Sequence, residues 1–236
     1  MIVYGRNAVR EALRGKRTVS AVWATPGAAG EEWLRGLEVS EVAPPELERL
    51  CESAEHQGVC AEAGPYPYAD SSGLAQDEDA LVLALDEVQD PHNLGAVCRV
   101  AESAGATGVV IPERRSAEVT PAVCKASAGA VEHLAVARVG NLATWLGEAK
   151  QAGAWVYGAD HSPAAVPYDT PDYRGRVVLA LGSEGRGLRP RVAGACDQLV
   201  RLPQRGRVDS LNVATAASAL VYGILHFRAQ ALDRGT

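Results

Sequence analysis

Three polar segments carry side chains suited to holding a charged or hydroxylic ligand. Asp86–Arg99 contains Asp90, His92, Asn93 and Arg99. Leu181–Leu188 contains Gly182, Ser183, Glu184 and Arg186, and Leu202–Ala214 contains Arg205, Arg207, Ser210, Leu211 and Asn212. Asparagine amides donate and accept at once and can orient a sugar hydroxyl, whereas a guanidinium grips a phosphate with two parallel donors. Glycine lets a ligand or another backbone approach closely. Each segment also has a plain structural explanation. Asn93 could cap the helix it starts, Ser210 and Asn212 could cap the next one, and Arg99 could pair with a surface acid. Gly182-x-x-Gly185-x-Gly187 fits neither a P-loop nor a Gly-x-Gly-x-x-Gly dinucleotide turn, and a tight turn would account for it.

What singles these segments out is their position. From residue 80 on, apolar runs at 80–85, 108–111, 134–139, 154–158, 177–181 and 199–202 alternate with helical patterns at 93–104, 118–128, 142–151 and 211–231. That alternation predicts an α/β fold with a parallel sheet covered on both faces, and in such sheets ligands bind beyond the carboxyl ends of the strands. All three polar segments follow such a run. Residues 1–63 read as a separate small α/β unit, with a helix capped by Asn7 and ending at Gly15, strands at 18–25 and 58–63, and a helix at 45–55. Residues 64–79, interrupted by Pro65 and Pro67, read as a linker to a second domain at 80–236.

The 236 residues are 47% hydrophobic and 22% charged, an ordinary globular composition. No apolar stretch is long enough for a membrane span, and the N-terminus lacks a basic-then-apolar leader, so a cytoplasmic protein is expected. Cys51, Cys60, Cys98, Cys124 and Cys196 form no Cys-x-x-Cys pair and read as small buried hydrophobes; no metal is expected. The net charge of −6 conceals an uneven distribution. Residues 1–30 carry five bases and one acid, residues 31–90 two bases and sixteen acids, and residues 174–207 eight arginines against Glu184 and Asp197. Two basic regions on an acidic chain leave phosphate binding open.

Taken together, Asp90-Pro91-His92-Asn93-Leu94-Gly95 with Arg99, Leu181-Gly182-Ser183-Glu184-Gly185, and Leu202-Pro203 followed by Ser210-Leu211-Asn212-Val213 resemble the three motifs of the SpoU (TrmH) RNA ribose 2'-O-methyltransferases. Ser127-Ala128-Gly129-Ala130 also resembles that family. Tyr4-Gly5-Arg6-Asn7-Ala8-Val9 and His56-Gln57-Gly58-Val59 are similar to the ribosomal-protein-L30e-like substrate-binding domain of the branch that methylates a guanosine of bacterial 23S rRNA. The resemblance implies a SPOUT fold, with a trefoil knot at the C-terminal side of the sheet, and a homodimer formed around the last helix. It implies S-adenosylmethionine as methyl donor, with Gly182, Leu202 and Leu211 offering backbone groups to its adenosine. Asn93, Arg99, Glu184, Ser210 and Asn212 are implied as the catalytic set. Arg99 suits a phosphate clamp better than a base, because a guanidinium has no free acceptor. Asn93 and Asn212 would orient the ribose or Arg99, Ser210 would contact hydroxyl or phosphate, and Glu184 would orient Arg99 and the loops. Arg6, Arg10 and Arg14, with Lys16 and Arg17, are expected to hold rRNA phosphates, and Arg186, Arg205 and Arg207 to contact phosphates near the target. Methylation of tRNA or of a resistance site in rRNA, or a non-catalytic RNA-binding role in ribosome assembly, are the competing readings.

Overall fold

Alternate residues of the buried strands face opposite sides, and this period of two divides the core. In the computed structural model, which describes residues 1–207 and 210–233, seven strands form one parallel sheet. Val208, Asp209 and residues 234–236, which belong to the expected third loop and the end of the expected second domain, lie outside the described residues.

The N-terminal unit is built from β1 (Ile2–Tyr4), α1 (Arg6–Arg14), β2 (Val19–Ala24), α2 (Pro26–Ala29), β3 (Ser40–Glu41), α3 (Pro44–Cys51) and β4 (Val59–Ala63), in strand order β1-β4-β2-β3. The second unit follows as β5 (Leu81–Asp86), α4 (Pro91–Ser103), β6 (Gly108–Pro112), α5 (Pro121–Ala126), β7 (Val136–Val139), α6 (Leu142–Gln151), β8 (Trp155–Ala159), β9 (Val166–Pro167), β10 (Val177–Gly182), α7 (Pro190–Ala193), β11 (Gln198–Arg201) and α8 (Val213–Asp233). Its strand order is β7-β6-β5-β10-β8-β11-β9. Leu81, Leu83 and Leu85 of β5 and Leu179 and Leu181 of β10 face a core shared with α4, α5 and α8. Val82, Ala84, Val178 and Ala180 face a second core with α6 and α7. β10 lies between β5 and β8, while α8 returns across the sheet to pack on α4.

The expected cap at Asn7 is corrected, and the capping alternative for Asn93 falls away. Gly5, at φ +92°, is the cap of α1, and Asn7 instead accepts a hydrogen bond from Arg10. Asp90 caps α4 by accepting from the His92 amide, which frees the Asn93 side chain. Short β1, β3 and β9 and the four-residue α2 were missed by periodicity because so few residues define no period.

Residues 64–79 are not a free tether. The Tyr66 hydroxyl donates to the carbonyls of Val131 (2.8 Å) and Leu134 (3.2 Å), and the Tyr68 hydroxyl accepts from the Val119 amide at 2.9 Å. Beneath them, Arg17 and Glu132 form an ion pair with side chains 2% and 1% exposed. Arg17 Nε donates to Glu132 Oε2 at 2.9 Å, Nη1 donates to the Gly64 carbonyl at 3.1 Å, and the guanidinium stacks over Tyr66. Burial opposes the Arg17 charge, but hydrogen bonds from Arg17 to Glu132 and the negative charge of Glu132 hold its pKa above the ordinary guanidinium value. Arg17 is therefore a bond between the two units and is withdrawn from the expected phosphate-binding cluster. Cys51, Cys60, Cys98 and Cys124 are buried, and burial pushes the Cys98 and Cys124 thiols up to about 12.

Removing one partner of a buried ion pair strands the other charge, at a cost of about 3–5 kcal/mol. Arg17→Ala is expected to lower unfolding free energy by that amount in urea titration, and a loss under about 1 kcal/mol would show that the pair does not bind the units together.

Candidate active site

β10 and β5 run side by side in register, so that Gly182 pairs with Asp86 and the two loops leaving them start next to each other. The loop after Gly182 folds straight back over it. The Gly187 amide donates to the Ser183 carbonyl at 2.9 Å, and a Cβ on residue 182 would lie 2.0 Å from the Gly187 carbonyl carbon. Only glycine fits there. The far end of the loop is pinned by Asp86, which has no exposed surface. Its Oδ2 accepts from the Arg189 amide and its Oδ1 from Arg189 Nε, each at 2.8 Å.

This fold-back presents Glu184 to α4 and α8. Asn212 Oδ1 accepts from the amides of Ala214 (3.0 Å) and Thr215 (3.2 Å), capping α8, so its nitrogen must point the other way. Asn212 Nδ2 donates to Asn93 Oδ1 at 2.8 Å and to Glu184 Oε1 at 2.5 Å. Asn93, having used its oxygen, donates Nδ2 to the same Glu184 Oε1 at 3.0 Å. Three residues from three distant segments thus close a hydrogen-bonded triangle whose donor and acceptor roles follow from the helix cap.

The triangle stands between two clefts. One, of about 200 Å³, is lined by Leu181, Gly182, Ser183, Glu184, Leu202, Ser210 and Leu211. The other, of about 280 Å³, is lined by Glu87, Gln89, Asp90, Asn93, Glu184 and Arg186. Gly182, Glu184, Leu202, Ser210 and Leu211 therefore meet at the first cleft, and Asn93, Glu184 and Arg186 at the second. Ala159, Asp160, His161 and Gln204 also line the first cleft. The sequence reading missed Asp160 and His161, although they follow the apolar run 154–158 and the strand-end rule would have found them.

Arg99 does not join the triangle within the chain. It lies six residues beyond Asn93 on α4, about 120° around the helix and about 9 Å along it. It is exposed and makes no hydrogen bond or ion pair among the described residues. Arg186, Arg205 and Arg207 are likewise exposed and unpaired among the described residues, as cations awaiting a partner would be. Arg6 pairs with Glu31 at 2.9 Å, and Arg10 and Arg14 both pair with Glu11, so an anion at this end must compete with surface ion pairs. Such pairs are worth little and yield readily. Among the described residues no group of three or more His, Cys, Asp or Glu side chains is arranged to hold a metal ion, and no helix is long and apolar enough to cross a membrane.

The profile of the SpoU rRNA Methylase family matches residues 80–222, more than half the chain. This protein belongs to the SpoU family. A second profile, described as RNA 2'-O ribose methyltransferase substrate binding, matches residues 2–69 and so takes in part of the segment 64–79. YacO of Bacillus subtilis, classed with the TrmH-family tRNA/rRNA methyltransferases, is 38% identical over 239 residues, covering 96% of this chain and 95% of its own. Among solved structures, the SpoU methyltransferase AviRb of Streptomyces viridochromogenes in complex with AdoMet superposes with a TM-score of 0.82 at 25% identity, covering 97% of this chain and 90% of that one. An AdoMet-bound rRNA methyltransferase of Sinorhizobium meliloti gives 0.80 at 28% identity, over 95% and 86%. The SpoU fold in this chain thus has a small N-terminal α/β unit ahead of the seven-stranded parallel unit that bears the site.

Gly182→Ala is expected to displace the 183–188 turn and with it Glu184. A fall of several degrees in melting temperature by circular dichroism checks this; an unchanged melting curve would mean that the turn relaxes without cost.

Proposed function

We propose that this SpoU-family protein transfers a methyl group from S-adenosylmethionine to a ribose 2'-hydroxyl of RNA, a guanosine of 23S rRNA. The observation that carries the reading is the Asn93–Glu184–Asn212 triangle standing between two clefts, one for a donor and one for an acceptor. The first cleft fits the donor by the chemistry of its walls. Leu181, Leu202 and Leu211 offer apolar cover for an adenine, the backbone at Gly182, Leu202 and Leu211 offers polar groups, and Glu184 offers a negative charge to a cationic ligand. When bound, S-adenosylmethionine supplies an electrophilic methyl group that needs little activation.

The remaining work falls to the chain's own residues. The Asn93 and Asn212 amides fix Glu184 Oε1, leaving Oε2 to accept a hydrogen bond from the incoming hydroxyl. Ser210, on the wall of the donor cleft, contacts the sugar or its phosphate. Arg99 clamps the target phosphate, and its exposure on α4 beside α8 means that RNA or a second copy of the chain provides its counter-charge. A homodimer formed on α8 is part of the proposal, supported by Tyr222, 49% exposed on that helix. The C-terminal thread from β10 through β11 to α8 is taken as the trefoil, supported by the placement of β10 between β5 and β8. Residues 1–63, 64–79 and 80–236 are assigned as substrate-binding domain, connector and methyltransferase domain, with Arg6, Arg10, Arg14, Arg186, Arg205 and Arg207 on RNA phosphates. A cytoplasmic location is part of the same proposal.

The test is methyl transfer from labelled S-adenosylmethionine to 23S rRNA, with the site mapped by ribose-methylation sequencing and donor binding followed by calorimetry. Arg99→Ala is expected to abolish transfer, by 100-fold or more, with donor affinity within about twofold of wild type. Retained turnover would remove Arg99 from the mechanism, and absence of donor binding by the wild type would sink the reading. Methylation confined to tRNA would replace the substrate.

A further inference from the structure

The turn that leaves β6 carries two adjacent arginines, Arg114 and Arg115, both exposed. Because β6 is parallel to β5, this turn emerges at the edge of the sheet that bears Asp86 and Asn93. It is fastened there rather than loose. The Ser116 hydroxyl donates to the Val88 carbonyl at 3.3 Å, and the Ala117 amide donates to the same oxygen at 2.8 Å. Arg115 has φ +59° and Glu87 φ +57°, a left-handed conformation unfavourable for both. Backbone held in this way at a loop tip suggests that the side-chain directions matter.

Those side chains meet at the rim of the acceptor cleft. Glu87, which lines that cleft, is only 11% exposed, whereas Arg115 is 74% exposed. Arg115 Nη1 lies 3.5 Å from Glu87 Oε1, at the outer limit of a hydrogen bond, and Arg189 Nη1 shares that oxygen at 3.3 Å. Arg114 makes no hydrogen bond or ion pair among the described residues. A carboxylate of the cleft lining thus holds the Arg115 guanidinium weakly, with the unpaired Arg114 next to it in sequence and Arg186 in the lining of the same cleft.

We propose that Arg114 and Arg115 form a phosphate-binding rim on which the backbone of the RNA strand rests as its target nucleotide enters the cleft, with Glu87 as the resident counter-ion that phosphate replaces. The inference rests on the reading of the chain as an RNA methyltransferase and adds a contact surface to it. A phosphate oxygen pair matches the guanidinium fork better than one shared, distant carboxylate oxygen, and it recovers the charge that the exposed Arg115–Glu87 contact scarcely uses. The turn touches backbone rather than base edges, so it contributes affinity and registration without sequence preference.

The experiment uses the full chain and transcribed 23S rRNA, with binding measured across a salt series for wild type and the Arg114→Ala/Arg115→Ala double variant. Each lost phosphate contact lowers the log–log salt slope by about 1, so the variant's slope is expected to fall by about 1 to 2 and its affinity by tenfold or more at low salt. Donor affinity and melting temperature should match wild type, because neither arginine lines the donor cleft, and Glu87→Gln should bind RNA more tightly. Equal slopes and affinities in wild type and double variant would overturn this inference alone. Failure of the wild type to bind RNA at all would overturn the functional reading and this rim with it. Unchanged RNA binding with lost affinity for polyglutamate would assign the rim to an acidic protein partner instead and likewise overturn it.

Discussion

A carboxylate with no access to solvent sits at the carboxyl end of β5, beside the central strand β10, and its need for a partner organises what lies above. Asp86 takes both the backbone amide and the guanidinium of Arg189, so the loop after β10 must return to the strand beside it. An isolated charge in that position would be prohibitive, and the pairing is therefore a constraint on the path of the chain rather than an ornament. With Arg189 fixed, Gly182 must accommodate the returning backbone at its own Cα, and Glu184 is carried to the one place where α4 and α8 both offer an asparagine. Hydrogen bonding to Asp86, set against desolvation, holds the Arg189 guanidinium above its usual pKa.

The same logic joins the two units. Arg17, from the first, meets Glu132, from the second, inside a shell of Tyr66, Cys124 and the Gly64 carbonyl. The small sheet is thereby fixed against the face that carries α4 and α5, and one hydrophobic core runs across both units.

Much of this arrangement was legible beforehand, for reasons tied to particular residues. The expectation of a helix near 142–151 agrees with α6, where Leu142, Trp145, Leu146 and Ala149 are buried at helical spacing and Asn141 caps the first turn. The buried strands were legible because both faces are covered and nothing interrupts their apolar runs. An asparagine at a helix start is usually a cap, which is the expectation for Asn7 and the competing explanation for Asn93; only the contacts made by Gly5, Asp90 and Glu184 show otherwise. Arg17 looked like one more surface base in a basic stretch, since its buried partner lies 115 residues away.

By itself the sequence determined the alternation of strand and helix, the three polar segments and their place at strand ends, because periodicity and turn residues are local properties. Which of those polar side chains touch was decided only by tertiary structure. Strand order is not written in any one segment: β10 enters between β5 and β8, and that insertion, with the loop fold-back pinned by Asp86, brings Glu184 to Asn93, 91 residues earlier, while Arg99, on the same helix as Asn93, is exposed.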